Sequence, residues 1–153
     1  MFKTKFKVKA KWSAKKALDV SVNGRTHQVF IDDKSPLTVS AAKAFKGDET
    51  KYNPEDLLLS ALSSCHMMSY FYVCAQHGIE LIDYQDEAVG ILELKADGSG
   101  AFTSVVLNPI VTISKVDMID KAVSLHKEAN KLCFIANSCN FPITHQAIVK
   151  VAH

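Results

Sequence analysis

Arginine is nearly absent: of 18 basic side chains only one, Arg25, is an arginine. Guanidinium groups are the preferred partners of phosphate, so this scarcity argues against a nucleic-acid-binding surface. C-x-x-C and H-x-x-x-H spacings are also missing, and the adjacent Cys65-His66 with other cysteines far away does not resemble a zinc ligand set. No metal and no bound cofactor are expected. Behind the basic N-terminus there is no continuous apolar stretch, so no signal peptide is expected. Four cysteines without an export signal suit a reducing compartment rather than a disulfide framework, and the expected location is cytoplasmic. With no repeat and no linker-like segment, residues 1–153 read as one domain.

Lysine is abundant where it has a pattern. Residues 1–16 hold seven lysines and no acid, which leaves 11 basic against 16 acidic side chains in the remainder. Lys3, Lys5, Lys7, Lys9 and Lys11 alternate with Phe2, Phe6, Val8, Ala10 and Trp12. That period of two predicts a strand with a lysine face and an apolar face, its edge protected by charge. Asn23-Gly24 is a hairpin signal because both residues tolerate positive φ. It predicts a connection to a second strand near His27–Asp32, followed by a short third at Leu37–Ser40.

Asn53-Pro54-Glu55-Asp56 predicts a helix start, with Asn as cap, Pro at the first helical position and two acids facing the positive end of the helix dipole. The helix is expected to run to about Gln76, with Gly78 as its stop. Leu57, Leu58, Leu59, Leu62, Met67, Met68, Tyr70, Phe71 and Val73 cover most of its circumference, which predicts burial on nearly all sides. Ser60, Ser63, Ser64, His66 and Ser69 interrupt the apolar run, so burial in protein is preferred over a membrane span. In a chain this small, such a helix raises the question of a second subunit.

Beyond Gly78, strands are expected at Ala88–Lys95 and Phe102–Ser114, separated by the turn cluster Asp97-Gly98-Ser99-Gly100. A second helix is expected over Met118–Cys133, and a last strand over Ile143–Val151. The order β-β-β-α-β-β-α-β defines an α+β fold with antiparallel sheets around two helices.

Cys65 falls mid-helix and Cys133 at the end of the second helix. Each is either a reactive thiol or an inert core cysteine, a common fate of this residue type. Cys74 is half a turn off phase from Cys65 and reads as structural; Cys139 lies in a loop. His66 lies about 100° round the helix from Cys65 and is not assigned to activate it. His126 reads as a surface or satisfied interior histidine.

The segment Asn53-Pro54-Glu55-Asp56-Leu57-Leu58 with Ala61-Leu62-Ser63-Ser64-Cys65, and a late cysteine in Ala129-Asn130-Lys131-Leu132-Cys133, resembles the OsmC/Ohr superfamily (osmotically inducible protein C and organic hydroperoxide resistance proteins). Ala101–Leu107 and the element order are similar too. The resemblance implies an intertwined homodimer that reduces organic hydroperoxides. Cys65 would be the attacking thiol, Cys133 the resolving thiol, Glu55 the motif glutamate and Arg25 the family's arginine. An external dithiol, such as a lipoyl group, would return the disulfide to thiols. Leu62, Met68 and Phe71 would supply an apolar lining for organic tails. The chain departs from the better-known branches by carrying Phe134 where proline follows the second cysteine.

Glu55 and Cys65 lie ten residues apart, about 15 Å along a straight helix and about 80° off phase. Direct help from Glu55 therefore requires a second subunit, and with it Arg25. Two other readings stay open: an OsmC-like dimer that binds a small hydrophobic molecule without catalysis, and a structural dimer with inert thiols.

Overall fold

The computed structural model describes residues 2–13 and 24–152. Two compact units divide the chain, Met1–Leu58 and Leu59–His153. In the first, strands β1 (Lys9–Lys11), β2 (His27–Phe30) and β3 (Leu37–Val39) form an antiparallel meander, with Ala10 opposite Val29 and Gln28 opposite Thr38. Gln28 donates across the ladder to Thr38 Oγ1 at 2.8 Å. The expected lysine-rich strand over residues 1–12 is shorter than its pattern. Its apolar face is largely exposed: Phe2 is 92% and Phe6 89% exposed. Of the predicted hairpin signal, Asn23 lies outside the described residues, while Gly24 and Arg25 form a turn.

Between β3 and the long helix the chain turns tightly around Ser40. This buried hydroxyl accepts the Asp48 N–H at 3.1 Å, and the Ser40 N–H donates to the Tyr52 carbonyl at 2.8 Å. A Cβ on Gly47 would run into the Ala41 carbonyl, so the turn requires glycine there.

Helix α1 spans Pro54–Gln76 without a break. Its start is the one the sequence predicts. Asn53 Oδ1 accepts the Asp56 N–H at 2.9 Å, and Asn53 Nδ2 donates to Asp56 Oδ2 at 2.6 Å. Asn53→Ala removes both bonds and is expected to lower stability by about 1 kcal/mol. Urea denaturation checks this, and an unchanged midpoint would deny the cap any energetic role.

The other end of α1 closes in a Schellman motif. Gly78 adopts φ 66°, the Ile79 N–H donates to the Cys74 carbonyl at 2.9 Å, and the Gly78 N–H donates to the Ala75 carbonyl at 3.2 Å.

In the second unit, β4 (Leu81–Gln85), β5 (Val89–Leu94), β6 (Gly100–Leu107), β7 (Ile110–Ile113), α2 (Ile119–Leu132), β8 (Ile143–His145) and β9 (Ile148–Val151) follow. They build two three-stranded sheets, β4-β7-β9 and β5-β6-β8. The α+β class stands, but the order is β-β-β-α-β-β-β-β-α-β-β rather than β-β-β-α-β-β-α-β. Three strands were hidden. The expected Phe102–Ser114 strand breaks at Asn108-Pro109, where proline has no N–H for a ladder. The Asn108 N–H donates instead to Asp86 Oδ1 at 2.7 Å. The last strand breaks beside it, with the Gln146 N–H on the Leu107 carbonyl and the Ile148 N–H on the Pro109 carbonyl, both at 2.9 Å. β4 carries too little alternation to be read in advance and is formed by pairing with β7, through a bulge between Leu81 and Asp83.

The sheets are not purely antiparallel. β8 pairs with β6, and β9 with β7, in parallel. The connection through α2 supplies the long crossover that parallel strands need.

Tyr70, Val73, Cys74, Ile79, Val111, Ile113, Ala122, Leu125 and Ala129 make the core of this unit. Within one chain α1 buries Leu62, His66, Tyr70, Val73 and Cys74, and leaves Met68, Phe71 and Tyr72 exposed. All-round burial is therefore not reached in the single chain, because the core lies on one side of the helix. By length and composition alone α1 would also span a membrane. Its packed face carries His66 and Tyr70 rather than aliphatic groups alone.

Candidate active site

Cys65 is half-buried on α1, and Cys133 is fully buried at the residue that ends α2. The turn after α2 folds over the Cys133 sulfur. The Ala136 N–H points at Sγ from 3.4 Å, and the Asn137 N–H donates to the Cys133 carbonyl at 3.0 Å. Burial pushes the Cys133 thiol up to about 11, opposed by the Ala136 N–H and reinforced by the nearby Cys65 thiol. The two thiols, 68 positions apart in sequence, thus lie near enough to influence one another, and both are free. At neutral pH Cys133 is protonated, and Cys65 is the more accessible of the two.

The remaining cysteines stand apart from this pair. Cys74 is fully buried against Tyr70, and burial raises its thiol further. Cys139 lies half-buried in the loop before β8.

Glu55 and Arg25 are placed by the first unit. Glu55 stands in the first turn of α1, and its buried Oε2 has no hydrogen-bond partner. Arg25 Nη1 donates to the Phe45 carbonyl at 2.7 Å. Within the chain the guanidinium and the carboxylate are not paired with each other. The unbroken α1 satisfies the condition on which the ten-residue separation of Glu55 and Cys65 rests.

The expected apolar lining is not assembled within one chain. Leu62 is sealed in the core, while Met68 is 58% and Phe71 39% exposed. Leu62 and Met68 are six residues apart and fall on different sides of the helix.

A cluster of imidazoles was missed by the sequence reading. His66 and His126 are buried, with His66 Nε2 and His126 Nδ1 joined at 3.0 Å. His145 stacks on His66 at 4.3 Å between centroids, and Tyr70 stacks on His126 at 3.9 Å. Tyr70 donates its hydroxyl to the Ala122 carbonyl at 3.0 Å. Burial lowers His66 to about 3, helped by His145 and His126, and lowers His126 to about 4, helped by His145. His145 is lowered by burial as well, against the pull of the Asp86 charge. A signal for the cluster existed. His66 lies one turn from Leu62 and from Tyr70, and His126 one turn from Ala122, so both sit on buried stripes. Among the described residues no group of three His, Cys, Asp or Glu side chains is arranged to hold a metal ion.

Fold and thiols together define a small α+β protein with two neighbouring cysteines, one on the first helix and one capping the second. Residues 47–147 match the family model described as OsmC-like protein. The chain belongs to the OsmC-like family. It is similar in structure to an OsmC-like protein of unknown function from Vibrio cholerae, with 28% identity, a TM-score of 0.83, and coverage of 95% of this chain and 100% of that one. An organic hydroperoxide resistance protein from Elizabethkingia anophelis shares the fold at a TM-score of 0.70 and 21% identity, over 99% of this chain and 100% of the other. In sequence the chain is 25% identical over 119 residues to the uncharacterized protein YmaD of Bacillus subtilis, covering 74% of this chain and 79% of that protein.

Proposed function

We propose that this OsmC-like protein is a thiol-dependent peroxidase that reduces organic hydroperoxides to alcohols. The proximity of the Cys65 and Cys133 thiols, close enough for Cys65 to perturb Cys133, supports the reading. The Cys65 thiolate attacks the terminal peroxide oxygen, the O–O bond breaks, and the alkoxide takes a proton and leaves as alcohol. Cys65 becomes a sulfenic acid. Cys133 then attacks that sulfur, water leaves, and a Cys65–Cys133 disulfide remains. An external dithiol, in the lipoyl class, reduces it by exchange and is itself oxidised to a disulfide. A second thiol already close by favours resolution over further oxidation.

The working unit in this reading is a homodimer in a reducing compartment, the cytoplasm. In the first unit Phe2, Phe6, Val8 and Trp12 are exposed, and in the second Met68, Tyr72 and Phe134 are exposed, which supports association with a second copy. Arg25 and Glu55 from that copy would hold and orient the peroxide at Cys65, the arginine favouring the thiolate. The buried Oε2 of Glu55, without a partner in the single chain, supports such a role.

The depth and raised pKa of Cys133 favour one competing reading, in which both thiols are inert and the apolar faces serve a dimer that holds a small hydrophobic molecule. Intact-mass analysis separates the two. After one equivalent of cumene hydroperoxide the reduced chain is expected to lose about 2 Da as the disulfide forms, and to regain it with dihydrolipoamide. Unchanged mass, or scattered oxygen adducts on several cysteines, would refute the peroxidase reading.

A further inference from the structure

The turn that closes over Cys133 is held by its own backbone. The Asn137 N–H donates to the Cys133 carbonyl at 3.0 Å, the Ser138 N–H to the Ile135 carbonyl at 3.0 Å, and the Cys139 N–H to the Ala136 carbonyl at 3.2 Å. Two side chains brace it: Asn137 Nδ2 donates to the Lys131 carbonyl at 2.9 Å, and the Ser138 hydroxyl to the Phe134 carbonyl at 2.8 Å. The Ala136 N–H goes instead to a side chain, pointing at Cys133 Sγ from 3.4 Å.

A neutral thiol is a weak acceptor, so that amide gains little while Cys133 keeps its proton. A thiolate is a charged acceptor, and hydrogen bonds to ions are roughly twice as strong as neutral ones. A bond that strengthens as charge develops is the kind that speeds a reaction, and the braced turn has the donor in place beforehand. Burial raises the Cys133 thiol; the Ala136 N–H is first among the groups that oppose it, and the Ile135 N–H pulls the same way.

In the peroxidase reading, on which this inference rests, charge develops on Cys133 in two steps. In the first, the Cys133 sulfur attacks the Cys65 sulfenic acid, and its proton leaves with the hydroxide as water. In the second, a thiolate of the external dithiol attacks the disulfide, the S–S bond breaks, and the electron pair goes to the sulfur that is not attacked. Cys65 is half-buried and Cys133 fully buried, so access directs the attack to Cys65 and makes Cys133 the leaving thiolate. The second thiol of the reductant then displaces Cys65. The dithiol closes to its own disulfide, and its two protons end on Cys65 and Cys133.

We propose that the Ala136 N–H is a catalytic donor to Cys133, holding the negative charge this buried sulfur carries as attacking and as leaving group, and that the reductant enters at Cys65.

Two experiments test this, both on the disulfide made with diamide, which takes up the two thiol hydrogens without peroxide. A chain inert to cumene hydroperoxide would thus sink the peroxidase reading alone. First, the unaltered oxidised chain is treated with a monothiol, 2-mercaptoethanesulfonate, quenched in acid and peptide-mapped. The adduct is expected on Cys65, with Cys133 free. Second, an ester replaces the Ile135–Ala136 amide in a full-length chain made by ligating residues 1–132 to synthetic residues 133–153. The Ala136 N–H is lost and every side chain is kept. Reduction by dihydrolipoamide is expected to slow about tenfold. An ester at the Ala136–Asn137 bond is the matched control. It removes the N–H on the Cys133 carbonyl, and each ester weakens one acceptor carbonyl of the same turn. The control is expected to leave the rate nearly unchanged. The proposal falls if diamide forms no Cys65–Cys133 disulfide, if the adduct is found on Cys133, or if the two ester chains are reduced at the same rate.

Discussion

Cys65→Ser is expected to lower hydroperoxide turnover by at least about a thousandfold, because a neutral hydroxyl replaces the nucleophile of the first step. Cys133→Ser is expected to act differently. It leaves the attacking sulfur and removes the thiol that resolves it, so the first turnover proceeds and later ones fail. Intact mass should then show a gain of about 16 Da after one equivalent of peroxide, climbing by further steps of about 16 Da with excess, in place of the loss seen in the unaltered chain. The asymmetry follows from the two environments. Cys65 is accessible, whereas Cys133 is sealed under the turn that carries the Ala136 N–H and is held as a thiol. Equal behaviour of the two variants, or turnover retained by Cys65→Ser, would refute the assignment of roles. Cys74→Ser is not expected to change either readout, since Cys74 packs on Tyr70 within the core.

Acid is expected to unfold the second unit through its imidazoles. His66 and His126 have an ordinary value of 6.5 and are lowered to about 3 and about 4, first by burial. Each is neutral in the folded chain at pH 5 and charged in the unfolded one. The unfolded state then binds more protons, so stability rises with pH across this window. It is complete above about 6.5 and is lost as pH falls from there toward the folded values. Between pH 7 and pH 5 the loss is about 2 kcal/mol for each imidazole, or roughly 4 kcal/mol for the pair. His145 adds to the effect in direction, being lowered by burial, although the facing Asp86 holds part of that back. Tyr70, stacked on His126, stays neutral throughout the range, because burial raises its phenol. Asp48 and Asp97, held low by their hydrogen bonds to Thr50 and Ser99, titrate below the window. Denaturant unfolding at pH 7 and pH 5, with proton uptake measured calorimetrically, checks this. A difference under about 1 kcal/mol would mean that the imidazoles are hydrated or already charged in the folded chain.

Local chemistry explains which parts of the architecture could be read in advance. The start of α1 is spelled by Asn53 and Pro54 and its end by Gly78, because caps act through neighbouring backbone groups. The turn at Asp97–Gly100 is equally local, with Asp97 Oδ1 accepting both the N–H and the hydroxyl of Ser99. Strand division was not legible. The break at Asn108-Pro109 becomes meaningful only when Asp86 is there to take the Asn108 N–H. The second break, at Gln146-Ala147, exists because the parallel partner must follow the first from one sheet to the other.

The pair of cysteines shows the same division. By itself the sequence determined the helices that carry Cys65 and Cys133, the half-turn offset that sends Cys74 elsewhere, and the motif that aligns the chain with the OsmC-like family. Only the tertiary structure decided that the two thiols lie near each other, since packing α1 and α2 against the sheets brings together residues separated by most of the second unit. It also decided that His66, His126 and His145 form one buried cluster. Helical phase gives each histidine a face, but which faces meet is set by packing, and burial rather than residue type makes those imidazoles neutral.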